Sequence, residues 1–183
     1  MALRVTTGKV RLSFPRLFEP HSTNPNDAPK YSTMIMIPKS DKETMKQLRA
    51  AEQEAAAEGK AWGGRAPKKW ESIIHDGDDD DLDRYPEREG CWIMSVRSSA
   101  DYKPQIVDRN VQEILDRSAV YSGVYARVSI TAFTFDFQGK KGVSFGLNNV
   151  QILGGGENLS GVSAPASADF EELDDDDDDD DLV

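Results

Sequence analysis

The chain has 183 residues, 30% of them charged, a formal net charge of −11 and one cysteine, which suits one ordinary domain plus an appendage. No apolar run approaches the ~20 residues needed to cross a bilayer, and residues 1–7 lack the apolar stretch and cleavage site of a secretory signal. A lone Cys91 with His21 and His75 excludes an internal disulfide and a Cys/His zinc site, and fits a reducing cytoplasm.

Taken in chain order, residues 9–14 alternate: Val10, Leu12 and Phe14 share one face, Lys9, Arg11 and Ser13 the other, and Pro15 ends this first expected strand. A Pro/Asn loop over 21–29 leads to a second strand, 30–37, stopped by Pro38. Ser40-Asp41-Lys42-Glu43 reads as a capping box opening a helix that runs to about Glu58, with Gly59 as its stop. Its apolar stripe of Met45, Leu48, Ala51 and Ala55 is thin, so the helix is expected on the outside of the domain.

Residues 60–75 are irregular, aromatic and basic, with Trp62, Lys68, Lys69 and Trp70. These tryptophans read equally as base-stacking rings or as a cover over the end of a barrel. Six acids then crowd into 76–83. Asp76, Asp78, Asp80 and Glu87 match positions 1, 3, 5 and 12 of a calcium loop, but position 6 is Asp81 instead of glycine and no second helix follows. The segment reads as a solvated loop, without a metal.

A third strand spans 91–97, a short one lies at Ile106-Val107, and the longest β signal covers 124–137. In its first half Val124, Ala126, Val128 and Ile130 face inward, and Tyr125, Arg127, Ser129 and Thr131 outward. An unbroken register places Phe133, Phe135 and Phe137 outward as well; a midway bulge places them in the core. The bulge is the preferred reading for Phe133 and Phe135, the exposed face for Tyr125 and Arg127. Residues 138–142 form a turn into 143–147, and the strand continues to Val150 and Ile152. Five short strands, one peripheral helix and long loops make the expected fold mainly β, an OB-fold-like five-stranded barrel over residues 1–153. Residues 154–168 form a Gly/Ser/Ala linker.

Residues 169–183 carry eleven acids and no base, which leaves 22 acids against 22 Lys and Arg in the rest of the chain. The domain is therefore neutral and able to present a basic face. Asp174 through Asp181 cannot bury anything apolar and are expected to be disordered. The run ends on Leu182 and Val183, an apolar tip suited to docking on a partner while the polyanion competes for a nucleic-acid groove. Aromatic rings beside cations supply what a sequence-tolerant single-strand groove needs: stacking platforms and phosphate contacts. On that chemistry the candidate ssDNA-binding residues are Lys9, Arg11, Tyr31, Trp62, Lys68, Lys69, Trp70, Arg97, Tyr102, Lys103, Arg109, Tyr125, Arg127, Phe137, Lys140 and Lys141. No Walker loop, GxSxG elbow or Ser/His/Asp set is present, so the chain is not expected to be an enzyme and no cofactor is implied.

The motifs Pro104-Gln105-Ile106-Val107-Asp108-Arg109-Asn110, Tyr121-Ser122-Gly123-Val124-Tyr125-Ala126-Arg127 and 141–151 resemble a family of tailed-bacteriophage single-stranded DNA-binding proteins. The resemblance covers about residues 8–160 and implies an OB-fold, ssDNA binding in phage replication or recombination within the cytoplasm of an infected bacterial cell, and a partner-recruiting acidic tail. Expected partners are single-stranded DNA and, through the tail, replication or recombination proteins; a homo-oligomer stays open and no membrane is implied. The competing reading is an acidic DNA mimic or adaptor that binds basic proteins instead of DNA. Within the first motif, Asp108 and Asn110 read as a buried ion pair and turn that organise a loop.

Overall fold

Among the residues described by the computed structural model, 3–22 and 24–159, each long alternating run forms a strand. These are β1 (Arg4–Thr6), β2 (Val10–His21), β3 (Lys30–Pro38), β4 (Glu71–Ser72), β5 (His75–Asp76), β6 (Cys91–Ser99), β7 (Gln105–Val107), β8 (Tyr125–Phe137) and β9 (Lys140–Gly154), with one helix, α1 (Lys42–Glu58). Five of the strands pair in a ring, β8-β2-β3-β6-β9 and back to β8; a single parallel bridge, Arg97 to Gly146, joins β6 to β9. The expected mainly β class holds, with the short strands decorating its edges. The core is mainly aliphatic: Val10, Leu12, Ile35, Ile37, Val128 and Ile130 are fully buried, with Phe145 as its largest fully buried side chain.

Proline does not end β2 where alternation stops. The strand continues through Pro15 and Pro20, because Pro15 falls in a register shift between the pairs Ser13–Met34 and Arg16–Ser32, where no ladder hydrogen bond is required of it. The shift also reverses the expected faces: Ser13 is buried, and Phe14, at φ +50, turns half its surface to solvent.

The face of β8 does not flip. Both register shifts on this ladder insert their extra residue in β9: Leu153 between the partners of Tyr125 and Ala126, and Asn148 between those of Ser129 and Ile130. β8 therefore keeps one parity from end to end, and Phe133 (47% exposed) and Phe137 (69%) stand outside the core. The preferred placement of Phe133 and Phe135 in the core is corrected, Phe135 being half-buried over β9. The connecting turn is shorter than the five residues expected. Gln138 and Gly139, both at positive φ, make a two-residue loop, and Lys140 already pairs with Phe137.

The helix starts one residue later than the capping box suggests. Asp41 is the N-cap: its Oδ1 accepts from Thr44 N–H at 3.1 Å and its Oδ2 from the Thr44 hydroxyl at 2.6 Å. Gly59, in the left-handed region, closes the other end onto the Ala55 carbonyl. The helix is peripheral in topology, yet its inner face is wholly buried against β1, β8 and β9, with Leu48 at 0% exposure and even Glu52 at 1%. Both carboxylate oxygens of buried Glu52 are satisfied: Arg49 donates to one at 2.9 Å and the Ser72 hydroxyl to the other.

Candidate nucleic-acid interface

The outer side of the sheet is built by parity. On β3, residues Lys30, Ser32 and Met34 alternate outward while Tyr31, Thr33, Ile35 and Ile37 turn in. Cross-strand pairing then lines up one row across five ladders: Arg16 with Ser32, Ser32 with Arg97, Arg97 with Gly146, Gly146 with Thr131, and Thr131 with Arg4. Arginines alternate in this row with small side chains, which leaves a shallow groove between guanidinium groups. A cavity of about 480 Å³ lies on one side of Arg97, walled by Arg16, Lys30 and Ser32, with Asp27 at its rim. A second, of about 570 Å³, lies on the other side, walled by Arg4, Tyr102, Lys103 and Asn149. Arg97 lines both, so the groove is continuous through it. Among the described residues, Arg4, Arg16, Lys30, Arg97 and Lys103 form no ion pair, so their charge is available to an incoming anion.

From this row an aromatic track climbs the β8–β9 hairpin. Phe133, Phe135 and Phe137 face the β9 residues Ser144, Gly142 and Lys140. The small residues make room for the rings: a Cβ on Gly142 would sit 2.4 Å from Phe135 and 2.6 Å from the Glu71 carbonyl. At the far end the expected clusters 68–70 and 140–141, remote in sequence, come together around a cavity of about 630 Å³ walled by Lys68, Lys69, Trp70, Lys140 and Lys141. One acid, Glu71, answers Lys140 at 3.3 Å. The segment is held in place by its neighbours: Ala61 N–H donates to Thr134 Oγ1 at 3.0 Å, and the Ser72 hydroxyl is tied to buried Glu52.

The remaining expected residues fall elsewhere. Tyr31 is 6% exposed on the inward side of β3, and Trp62 is 8% exposed with its Nε1–H donated to the Phe135 carbonyl at 3.0 Å. Neither ring offers a face for stacking, and Trp62 packs into the hydrophobic core instead. Lys9, Arg11 and Tyr125 cluster, with Lys9 Nζ 4.3 Å from the Tyr125 ring centre, but Arg11 is spent on the Gly123 and Glu157 carbonyls, each at 2.8 Å. Arg127 donates to the Thr7 carbonyl at 3.1 Å and Arg109 to the Leu153 carbonyl at 2.9 Å. Asp108 makes no ion pair among the described residues, contrary to the sequence reading; its Oδ1 caps a turn by accepting from Asn110 and Gln112 N–H. Asp174, Asp181, Leu182 and Val183 lie outside the described residues.

Sequence reasoning missed Arg4, Arg16 and Lys30. Arg16 lay beyond the proline taken as a stop, and three-residue β1 is too short for a periodic signal. Lys30 was readable: Tyr31 shares the parity of Ile35 and Ile37, so its neighbour faces out. The acidic loop is less solvated than expected. Lys39 Nζ bridges Asp76 (2.6 Å) and Asp78 (2.7 Å), and Asp80 meets Arg88 at 3.0 Å. Hydrogen bonding to Lys39 holds both Asp76 and Asp78 below the usual carboxylate range and raises Lys39 above the usual lysine value. Among the described residues no group of three or more His, Cys, Asp or Glu is placed to hold a metal ion.

Comparison with known proteins places the chain among phage proteins. The family model described as "Enterobacter phage Enc34, ssDNA-binding protein" matches residues 3–183. A relative from Acyrthosiphon pisum secondary endosymbiont phage 1, "Putative protein p50", is 28% identical over 181 residues, 93% of this chain and 94% of its own length. Among solved structures, the single-stranded DNA-binding protein of bacteriophage Enc34 in complex with ssDNA matches with a TM-score of 0.74 at 23% identity, covering 85% of this chain and 89% of that one. The single-stranded DNA-binding protein gp2.5 of bacteriophage T7 matches with a TM-score of 0.63 at 14% identity, over 92% of this chain and 95% of its own.

Proposed function

Because the chain belongs to the Enterobacter phage Enc34 ssDNA-binding protein family, we propose that it binds single-stranded DNA with little sequence preference, along the outer face of its sheet. The observation that carries this reading is the row Arg16–Arg97–Arg4: three guanidiniums in register that make no ion pair among the described residues, leading into the exposed Phe133. Guanidinium–phosphate contacts carry no base information, and a ring accepts any base on its face. A face with this much unpaired positive charge also favours a nucleic acid over the adaptor reading, in which basic proteins would be the partners. The Lys68/Lys69/Lys140/Lys141 patch extends the track past the hairpin. The setting is phage replication or recombination in the cytoplasm of the infected cell. The acidic segment 169–183 recruits partner proteins and competes with DNA for the basic face.

Titrating oligo-dT onto the full chain and onto a chain ending near Gly161, with anisotropy and tryptophan fluorescence as readouts, tests the reading. The expected results are salt-sensitive binding and a tighter complex for the shortened chain. No binding by the shortened chain at low salt would refute it, and equal affinity of the two chains would remove the competing role of the tail.

A further inference from the structure

Beyond the arginine row, and resting on the same reading of that face, we infer that Phe14 and Tyr85 form a separate base-stacking station at the β2 end of the groove. Phe14 lies in the register shift between the Ser13–Met34 pair and the Arg16–Ser32 pair, so it borders the row directly. Its backbone adopts φ +50, a region that a bulky non-glycine residue enters only at a cost. The result of that conformation is exposure: continued alternation after Val10 and Leu12 would bury the ring, and here it is 50% exposed. The conformation is held from the other side of the chain, where the Ser122 hydroxyl accepts from Phe14 N–H at 3.1 Å.

Tyr85, just after the acidic loop, meets this ring edge to face, with centres 6.4 Å apart and planes at 82°. The Tyr85 ring is itself fixed by the Arg88 guanidinium, 3.9 Å from its centre, which Asp80 anchors at 3.0 Å. Arg84 stands 5.3 Å from the same ring and makes no ion pair among the described residues. Phe14, Arg84 and Tyr85 line a cleft of about 450 Å³ together with Glu87 and Glu157. Those two carboxylates repel a phosphate, whereas a planar neutral base stacks on a ring beside a guanidinium. The occupant is therefore a base of the bound strand, with its phosphates kept on the Arg16 side. Phe14 and Phe133 then hold bases at opposite ends of one arginine row.

Glycine accepts positive φ, so Phe14→Gly removes the ring and relieves the backbone. The variant is expected to melt cooperatively and to lose about 5- to 150-fold in affinity for oligo-dT, the range of one stacked base. Tyr85→Leu, which leaves the backbone of β2 untouched, is expected to lose affinity in the same range. An oligonucleotide carrying 5-iodouracil, irradiated on the full chain, is expected to crosslink to peptides containing Phe14 or Tyr85. Unchanged affinity in either variant, or crosslinks confined to β8–β9 peptides, would overturn the inference. Phe133→Ala in the same titration separates the two levels: loss there without loss at Phe14 removes the station and leaves the face. Failure of the unaltered chain to bind removes both.

Discussion

Arg97 is where the proposed interface is most exposed to test, because it walls both cavities of the groove. It is solvent-exposed with no ion pair among the described residues, so Arg97→Ala leaves folding stability within about 0.5 kcal/mol. Along the row, Arg16 lies two strand spacings away, about 10 Å, and Arg4 three, about 14 Å, so each arginine serves a different phosphate. Each phosphate neutralised on a single strand contributes about 0.7 to the slope of log K against log salt. With an oligonucleotide short enough to engage only Arg4, Arg16, Lys30, Arg97 and Lys103, the slope is about −3.5, and Arg97→Ala brings it to about −2.8. Between about 50 and 200 mM salt, binding then falls about 130-fold for the unaltered chain and about 50-fold for the variant. Anisotropy titrations with labelled oligo-dT at several salt concentrations read this directly. Lys46→Ala, an exposed cation on α1, is the control and keeps the original slope. An unchanged slope for Arg97→Ala, or an equal drop for Lys46→Ala, would refute the placement of DNA on this face.

Phe133→Ala removes a ring that is 47% exposed, so affinity falls about 5- to 150-fold while the urea midpoint stays put. Gly142→Ala forces a Cβ against Phe135 and the Glu71 carbonyl and costs about 1–3 kcal/mol in urea unfolding. Tyr31→Ala, by contrast, opens the interior and costs about 3–5 kcal/mol in the same assay; a neutral result would return Tyr31 to the surface. The Lys39 bridge to Asp76 and Asp78 gives a pH signature. Its stabilisation is present above the ordinary carboxylate range and is lost as pH falls through the depressed values of the two acids; at the alkaline end it is lost as pH rises past the raised value of Lys39. Thermal melts across pH should flatten at both ends in Lys39→Met.

Much of the architecture could be read from local pattern. Alternation placed Val124, Ala126, Val128 and Ile130 inside, and the helix boundaries came within a residue of Asp41 and Gly59. Pro15 misled because a proline stops a strand only where its missing N–H is needed, and a bulge removes that need. The bulge weighed for β8 lies across the ladder in β9, at Asn148 and Leu153, a distinction invisible to the parity of either strand alone. The meeting of Lys68 and Lys69 with Lys140 and Lys141 needed the parallel pairing of Glu71 with Gly142, a contact across some seventy residues.

What the amino-acid sequence settled by itself was the segregation of charge into 169–183, the faces of unbroken alternating runs such as 124–130 and the presence of aromatics among cations. What only the tertiary structure decided was which cations and rings share a surface. Side-chain alternation is a property of one strand and is written locally. Register between strands is set by bulges and by pairings between distant segments, and it is register that turns Arg16, Arg97 and Arg4 into a single row.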